Sequence, residues 1–170
     1  MTNKEFFAGC WKAEGPTTAA AFKSLPEDNL DYKPHQKSRS ARELIEHLLG
    51  HNAALNELLD TGKINAEDTK FSSIDEAVNL FNSTNASLEQ KLQSLDDKKW
   101  SDEKGALYLG GNKVWEDTYS SLCWAFLFDR IHHRGQLSTY IRPMGGVNPS
   151  IYGPTAEMME EMMKQAQQKS

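Results

Sequence analysis

Apolar and polar positions along the chain repeat with a helical period over most of its length, which predicts five helices separated by polar, turn-rich connections. The first is expected near residues 3 to 25. Thr2 and Glu5 stand at capping-box spacing, and Phe6, Cys10, Trp11, Ala21, Phe22 and Leu25 form its apolar face. Gly15-Pro16 in its middle predicts a kink or break, because proline removes a helical hydrogen bond and clashes with the preceding turn. A second helix, 40 to 61, opens on the Ser40/Glu43 box and stops at Gly62, with Leu44, His47, Leu48, His51, Leu55 and Leu58 on one stripe. A third, 73 to 95, opens at Ser73 and carries a nearly heptad-like face of Ala77, Leu80, Phe81, Thr84, Leu88, Leu92 and Leu95, the kind that packs in a bundle. The pattern breaks between 96 and 116. That long connection holds a small hairpin candidate, Leu107 to Leu109 and Val114-Trp115 around Gly110-Gly111. The fourth long helix, 117 to 143, and a final one, 155 to 168, complete the series. In the last, Met158, Met159, Met162 and Met163 recur at helical spacing and are expected to pack against the bundle.

Composition narrows the class. A chain of 170 residues supports one hydrophobic core, so a single domain over 1–170 is expected. A net charge of -5 with no basic stripe argues against nucleic acid as a partner, because that affinity rests on clustered Lys and Arg. No stretch approaches the roughly 18 apolar residues of a membrane span. Two cysteines, Cys10 and Cys123, fall at apolar helical positions, which suits buried thiols in a reducing compartment. These features together read as a cytoplasmic protein without membrane association.

The chemistry concentrates in the fourth long helix. Leu122, Phe126, Asp129, His133, Gln136, Leu137 and Tyr140 share a stripe there, since side chains three and four residues apart lie on one face. Asp129 and His133 are thus one turn apart among apolar neighbours, where a carboxylate is expected to lose water and require a partner. At this spacing an Asp and a His form a structural hydrogen-bonded pair more often than a metal site. His132 is rotated by about 100° from His133 and points elsewhere. His47 and His51 interrupt the leucine-rich face of the second helix, so two helices each bring ionisable groups inward. His35 lies in a turn-rich loop and reads as exposed.

Three stretches carry a family resemblance: LPEDNLDYKPHQKSRSARELIEHLLGHN (25–52), FDRIHHRGQLSTYIRPMGG (128–146) and PSIYGPT (149–155). Together they resemble the DinB-like family of metal-binding helical proteins. The resemblance implies an all-α fold, a DinB-like four-helix bundle of up-down-down-up topology, here with an additional C-terminal helix. It also implies a divalent metal between helices, and commonly a homodimer. Carried over residue by residue, the metal ligands are His47 from the second helix and Asp129 and His133 from the fourth. The family usually has histidine where this chain has Asp129. Two histidines and a carboxylate still suit zinc, nickel, iron or manganese. His51 is expected as a general base or supporting group beside the ligands, Arg134 and Gln136 as supporting or helix-packing groups, and Gly135 as a point of close helix approach. Phe7, Trp11, Trp124 and Phe128 make up an apolar surplus off the inward stripes, which fits a dimer interface.

Two function classes follow. The first is a metal-dependent enzyme of hydrolase or thiol-dependent transferase type acting on an unknown small-molecule substrate, with an open coordination position. The second is a non-catalytic metal-binding or interaction protein, in which the site would be closed by protein groups.

Overall fold

The computed structural model describes residues 1–168. Four long helices form the body: α1 (Asn3–Lys23), α2 (Ala41–Thr61), α3 (Ile74–Ser94) and α5 (Tyr119–Ile141). Their starts are fixed by side-chain caps. Thr2 and Ser40 make complete capping boxes with Glu5 and Glu43, while Ser73 and Thr118 accept from Glu76 N-H and Ser121 N-H. A break at Pro16 does not occur: α1 is continuous through it, and the Thr17 and Thr18 hydroxyls bond back to the Glu14 carbonyl beside it.

Helix directions follow from the two apolar clusters of the interior. One gathers the end of α1 (Phe22), the starts of α2 and α3 (Leu44, Phe81) and the end of α5 (Leu137, Tyr140). The other gathers the start of α1 (Phe7, Trp11), the ends of α2 and α3 (Leu58, Leu92) and the start of α5 (Leu122). Helices α1 and α5 therefore run one way and α2 and α3 the other, an up-down-down-up bundle. Between the clusters lies Arg130, fully buried, its guanidinium 4.3 Å from the Trp11 ring and 4.7 Å from that of Phe81. It donates to Asn85 Oδ1 at 3.0 Å. Burial pushes this guanidinium down to about 9.

The all-α expectation holds only approximately. The hairpin is present and longer than expected, β2 (Lys104–Leu109) and β3 (Asn112–Thr118), turning on Gly110 and Gly111 with φ of 55° and 81°. A short strand, β1 (Lys63–Asn65), pairs parallel to β2 and closes a sheet ordered β1-β2-β3. It follows directly from the left-handed Gly62 cap of α2, and a six-residue helix, α4 (Asp97–Asp102), precedes the hairpin. This sheet flanks α2 and α5 at the mouth of the site.

Two packing expectations are corrected. Phe7 and Trp11 are buried in the core, and Phe6 is exposed in place of Phe7. The residual apolar surface on α1 and α5 is a groove lined by Phe6, Trp124 and Phe128, the last 63% exposed. The final helix, α6 (Ala156–Gln168), buries none of its residues, and all four methionines stay exposed. Pro143 ends the α5 segment and the turn-rich 147–155 stretch carries α6 away, held by an Arg142–Glu157 ion pair at 2.9 Å. Among the described residues no helix is long and apolar enough to cross a membrane.

Candidate metal centre

Helix α2 contributes His47 and His51, one turn apart, with ring centroids 4.3 Å apart. Helix α5, which packs on α2, contributes Asp129 and His133. All three imidazoles turn their Nε2 atoms to the Asp129 carboxylate. His51 lies 3.2 Å from Oδ2, His47 3.7 Å from Oδ2, and His133 3.3 Å from Oδ1. The structure therefore brings His47, Asp129 and His133 together and adds His51 as a full member of the cluster.

What lies behind each ring differs. His47 Nδ1 is 2.8 Å from Asp68 Oδ1, and Asp68 Oδ2 accepts from Arg39 Nη1 at 3.0 Å. An ionised carboxylate only accepts, so His47 Nδ1 carries a proton toward Asp68, and Nε2, on the side of Asp129, is the nitrogen left for a metal. His133 Nδ1 meets Gln136 Oε1 at 2.8 Å, and the Gln136 amide in turn reaches His132 at 3.0 Å. His133 is fixed in the same sense. Partners of this kind are what orient metal-binding imidazoles. Among the described residues His51 has none: its Nδ1 is buried and unpartnered.

Electrostatics follow the geometry. The His133 and His47 imidazoles beside it hold the Asp129 carboxyl well below the ordinary carboxylate range. The Asp129 carboxylate beside it raises His133. Burial, aided by His47, pushes His51 down to about 3, so it is neutral at pH 7. Asp129 is not the desolvated group expected from its apolar neighbours. Its side chain is 45% exposed, because the carboxylate opens onto a cavity of about 600 Å³. That cavity is lined by Arg39, Phe126 and the hairpin residues Leu107, Leu109 and Trp115, as well as by His47, His51 and Asp129.

The donor set fits a divalent cation. His47, His51 and Asp129 each offer a ligand atom within 4.8 Å of the others. Two ligands at about 2.1 Å from a zinc-like ion lie about 3.4 Å apart at the tetrahedral angle. The observed nitrogen-to-oxygen spacings of 3.2 to 3.7 Å bracket that value.

Other expected site residues go elsewhere. Arg134 is buried on the opposite side of α5, where it binds Glu14, Thr17 Oγ1 at 2.6 Å and Tyr152 OH at 2.5 Å. It anchors the C-terminal segment to α1 and does not support the cluster. A Cβ at Gly135 would meet open space, so that glycine makes no close helix approach. Gly50 does: a Cβ there would stand 2.3 Å from the Glu67 carbonyl. Its absence lets the 66–69 loop lie against α2 between the two histidines, pinned by Thr69 N-H to the Glu46 carbonyl at 3.0 Å, and this delivers Asp68 to His47. Asp68, Arg39 and Gly50 escaped sequence reasoning. The one available signal was an acidic loop, Glu67-Asp68, directly after a helix carrying two inward histidines.

The family model described as DinB family matches residues 1–169. No curated protein matches the chain significantly. Among solved structures, a DinB-like protein of Bacillus subtilis, YjoA, aligns with a TM-score of 0.67 at 21% identity, over 88% of this chain and 99% of its own. A DinB-like protein of Bacillus cereus ATCC 10987 aligns at 0.67 and 21%, over 87% and 97%. YfiT of Bacillus subtilis aligns at 0.68 and 14%, over 85% and 89%, and is described as a probable metal-dependent hydrolase with an unusual four-helix bundle topology.

Proposed function

The chain belongs to the DinB family, and on that footing we propose that it is a metal-dependent enzyme of hydrolytic or thiol-transfer type, whose metal is held by His47, Asp129 and His133. One observation carries this reading: imidazole Nε2 atoms converge on a half-exposed carboxylate at the floor of an open cavity, and two of those rings are oriented from behind by Asp68 and Gln136. When bound, a divalent cation supplies Lewis acidity and lowers the pKa of a water or thiol.

The ligand set favours His133 over His51 for a physical reason. His133 is oriented from behind through the bond between its Nδ1 and Gln136 Oε1, whereas His51 Nδ1 is buried and has no hydrogen-bond partner among the described residues, so nothing behind that ring aims its Nε2 at a metal. With the proton on Nε2, His51 turns its N-H side to Asp129 Oδ2 at 3.2 Å and steadies the carboxylate electrostatically. His51 is thus a positioning residue. Its neutrality at pH 7 keeps a second positive charge out of the centre.

A purely structural metal would be enclosed by protein groups. Here Asp129 faces the cavity, and Phe126 and the hairpin wall shield one side from bulk water, which supports an enzyme. The test is a panel of ester, amide and phosphoester substrates and thiol acceptors, assayed with and without a chelator. Turnover abolished by chelator, restored by one divalent metal and absent in His133→Ala supports the reading. Turnover insensitive to both would refute it. We further propose a homodimer across the α1/α5 groove of Phe6, Trp124 and Phe128.

A further inference from the structure

The wall of the site cavity opposite the ligands is unusual for a surface. Leu109, 50% exposed, and Trp115, 37% exposed, project from the hairpin into the same space as the buried Phe126, so large apolar groups line a cavity open to water. Apolar area of this kind, left wet in the free protein and gathered around one concavity, suits the body of an apolar ligand. At the edge of the cavity stands Arg39. Among the described residues its guanidinium makes one hydrogen bond, from Nη1 to Asp68 Oδ2 at 3.0 Å. A guanidinium carries five N-H donors in a planar fork, so most of them remain available to a ligand. Asp68 fixes the fork by one arm and is itself held by His47 Nδ1.

We infer that the cavity accepts an amphipathic anion, its apolar body against Leu107, Leu109, Trp115 and Phe126 and its carboxylate or phosphate head on Arg39. This rests on the reading of the cavity as the substrate pocket of the metal centre. It assigns Arg39 a specificity role: the fork anchors the head, and the hairpin selects the length of the body. Because Arg39 is braced through Asp68 to His47, anchored substrate and metal ligand share one rigid support. Asp68 and Glu67 lie on the same rim, so a cationic head is the natural competitor and is included in the test.

The experiment is isothermal titration of octanoate, octyl phosphate, octanol and octylamine into metal-loaded and chelator-treated protein, with metal content measured on every sample. Octanoate or octyl phosphate should bind at one site per chain, and the tighter of the two identifies the preferred head. Octanol and octylamine should bind at least tenfold more weakly. Shortening octanoate to hexanoate should weaken binding about 15-fold, since each buried methylene is worth about fourfold. Arg39→Gln should weaken the anions about 10- to 100-fold, Arg39→Lys less, and Trp115→Ala should flatten the chain-length dependence. The inference is overturned if no anion binds, if octylamine binds as tightly, or if Arg39→Gln binds octanoate unchanged because the head sits on the metal. Failure of the metal reading looks different. Protein that takes up no metal yet binds octanoate through Arg39 would sink the metal centre and leave the anion site standing.

Discussion

His51→Gln should remove a specific part of the acid sensitivity of the metal-free protein. The native state keeps His51 neutral down to about pH 3, whereas the unfolded chain protonates it near 6.5. Between those values the unfolded state binds the extra proton, so stability falls as pH falls through this window. From pH 7 to pH 5 the loss assigned to this one group is about 2 kcal/mol, at about 1.4 kcal/mol for each full pH unit. His133 acts with the opposite sign. Its raised value contributes stability that is present below 6.5 and lost as pH rises through the folded value, and this contribution is shared by wild type and variant. Glutamine preserves a neutral donor toward Asp129 and cannot titrate. Denaturant unfolding of chelator-treated protein at pH 7 and pH 5 should therefore show wild type losing about 2 kcal/mol more than His51→Gln, and thermal unfolding a midpoint drop larger by about 4–8 °C for a chain of this size. Equal losses in the two proteins would refute the assignment of a buried, neutral His51.

Gly50→Ala should push the 66–69 loop off α2 and part Asp68 from His47. Metal affinity should then drop about 10- to 100-fold, as it should for Asp68→Ala, read by competition with a chromophoric chelator. Arg130→Ala should cost about 3–5 kcal/mol in denaturant unfolding, because it empties the centre of the bundle and strands Asn85, while metal stoichiometry at low temperature stays unchanged. Phe128→Glu should convert the proposed dimer to a monomer by light scattering, and a wild-type monomer at high micromolar concentration would contradict the dimer.

Helix positions were legible because each carries its own local signals. Ser40 with Glu43, Ser73 with Glu76 and Gly62 mark ends to within a residue or two, and the leucine stripes of α2 and α3 mark inner faces. Side-chain chemistry was less so. Asp129 and His133 were visible as a one-turn pair, but the exposure of Asp129 depends on a cavity walled by a hairpin far away in sequence. Asp68 and Arg39 sit in connections, where no periodicity assigns a direction, and reach His47 only through tertiary packing at Gly50. The methionines of α6 show the converse failure. Helical spacing of apolar residues establishes a face but not its partner, and here the 147–155 segment carries that face away from the bundle. Of the two roles open to Arg134, the structure gives it the packing one for a similar reason: it neighbours His133 in sequence, but about 100° around the helix it belongs to Glu14 and Tyr152.

Metal content of purified protein, measured by elemental analysis across single histidine variants, tests the central claim most directly. Wild type should approach one divalent ion per chain. His47→Ala and His133→Ala should lose most of it, Asp129→Ala should bind weakly, and Asp129→His should regain occupancy. His51→Ala, His132→Ala and His35→Ala should retain it. Full occupancy in both His47→Ala and His133→Ala, or loss in His51→Ala with retention in His133→Ala, would contradict the ligand set proposed here.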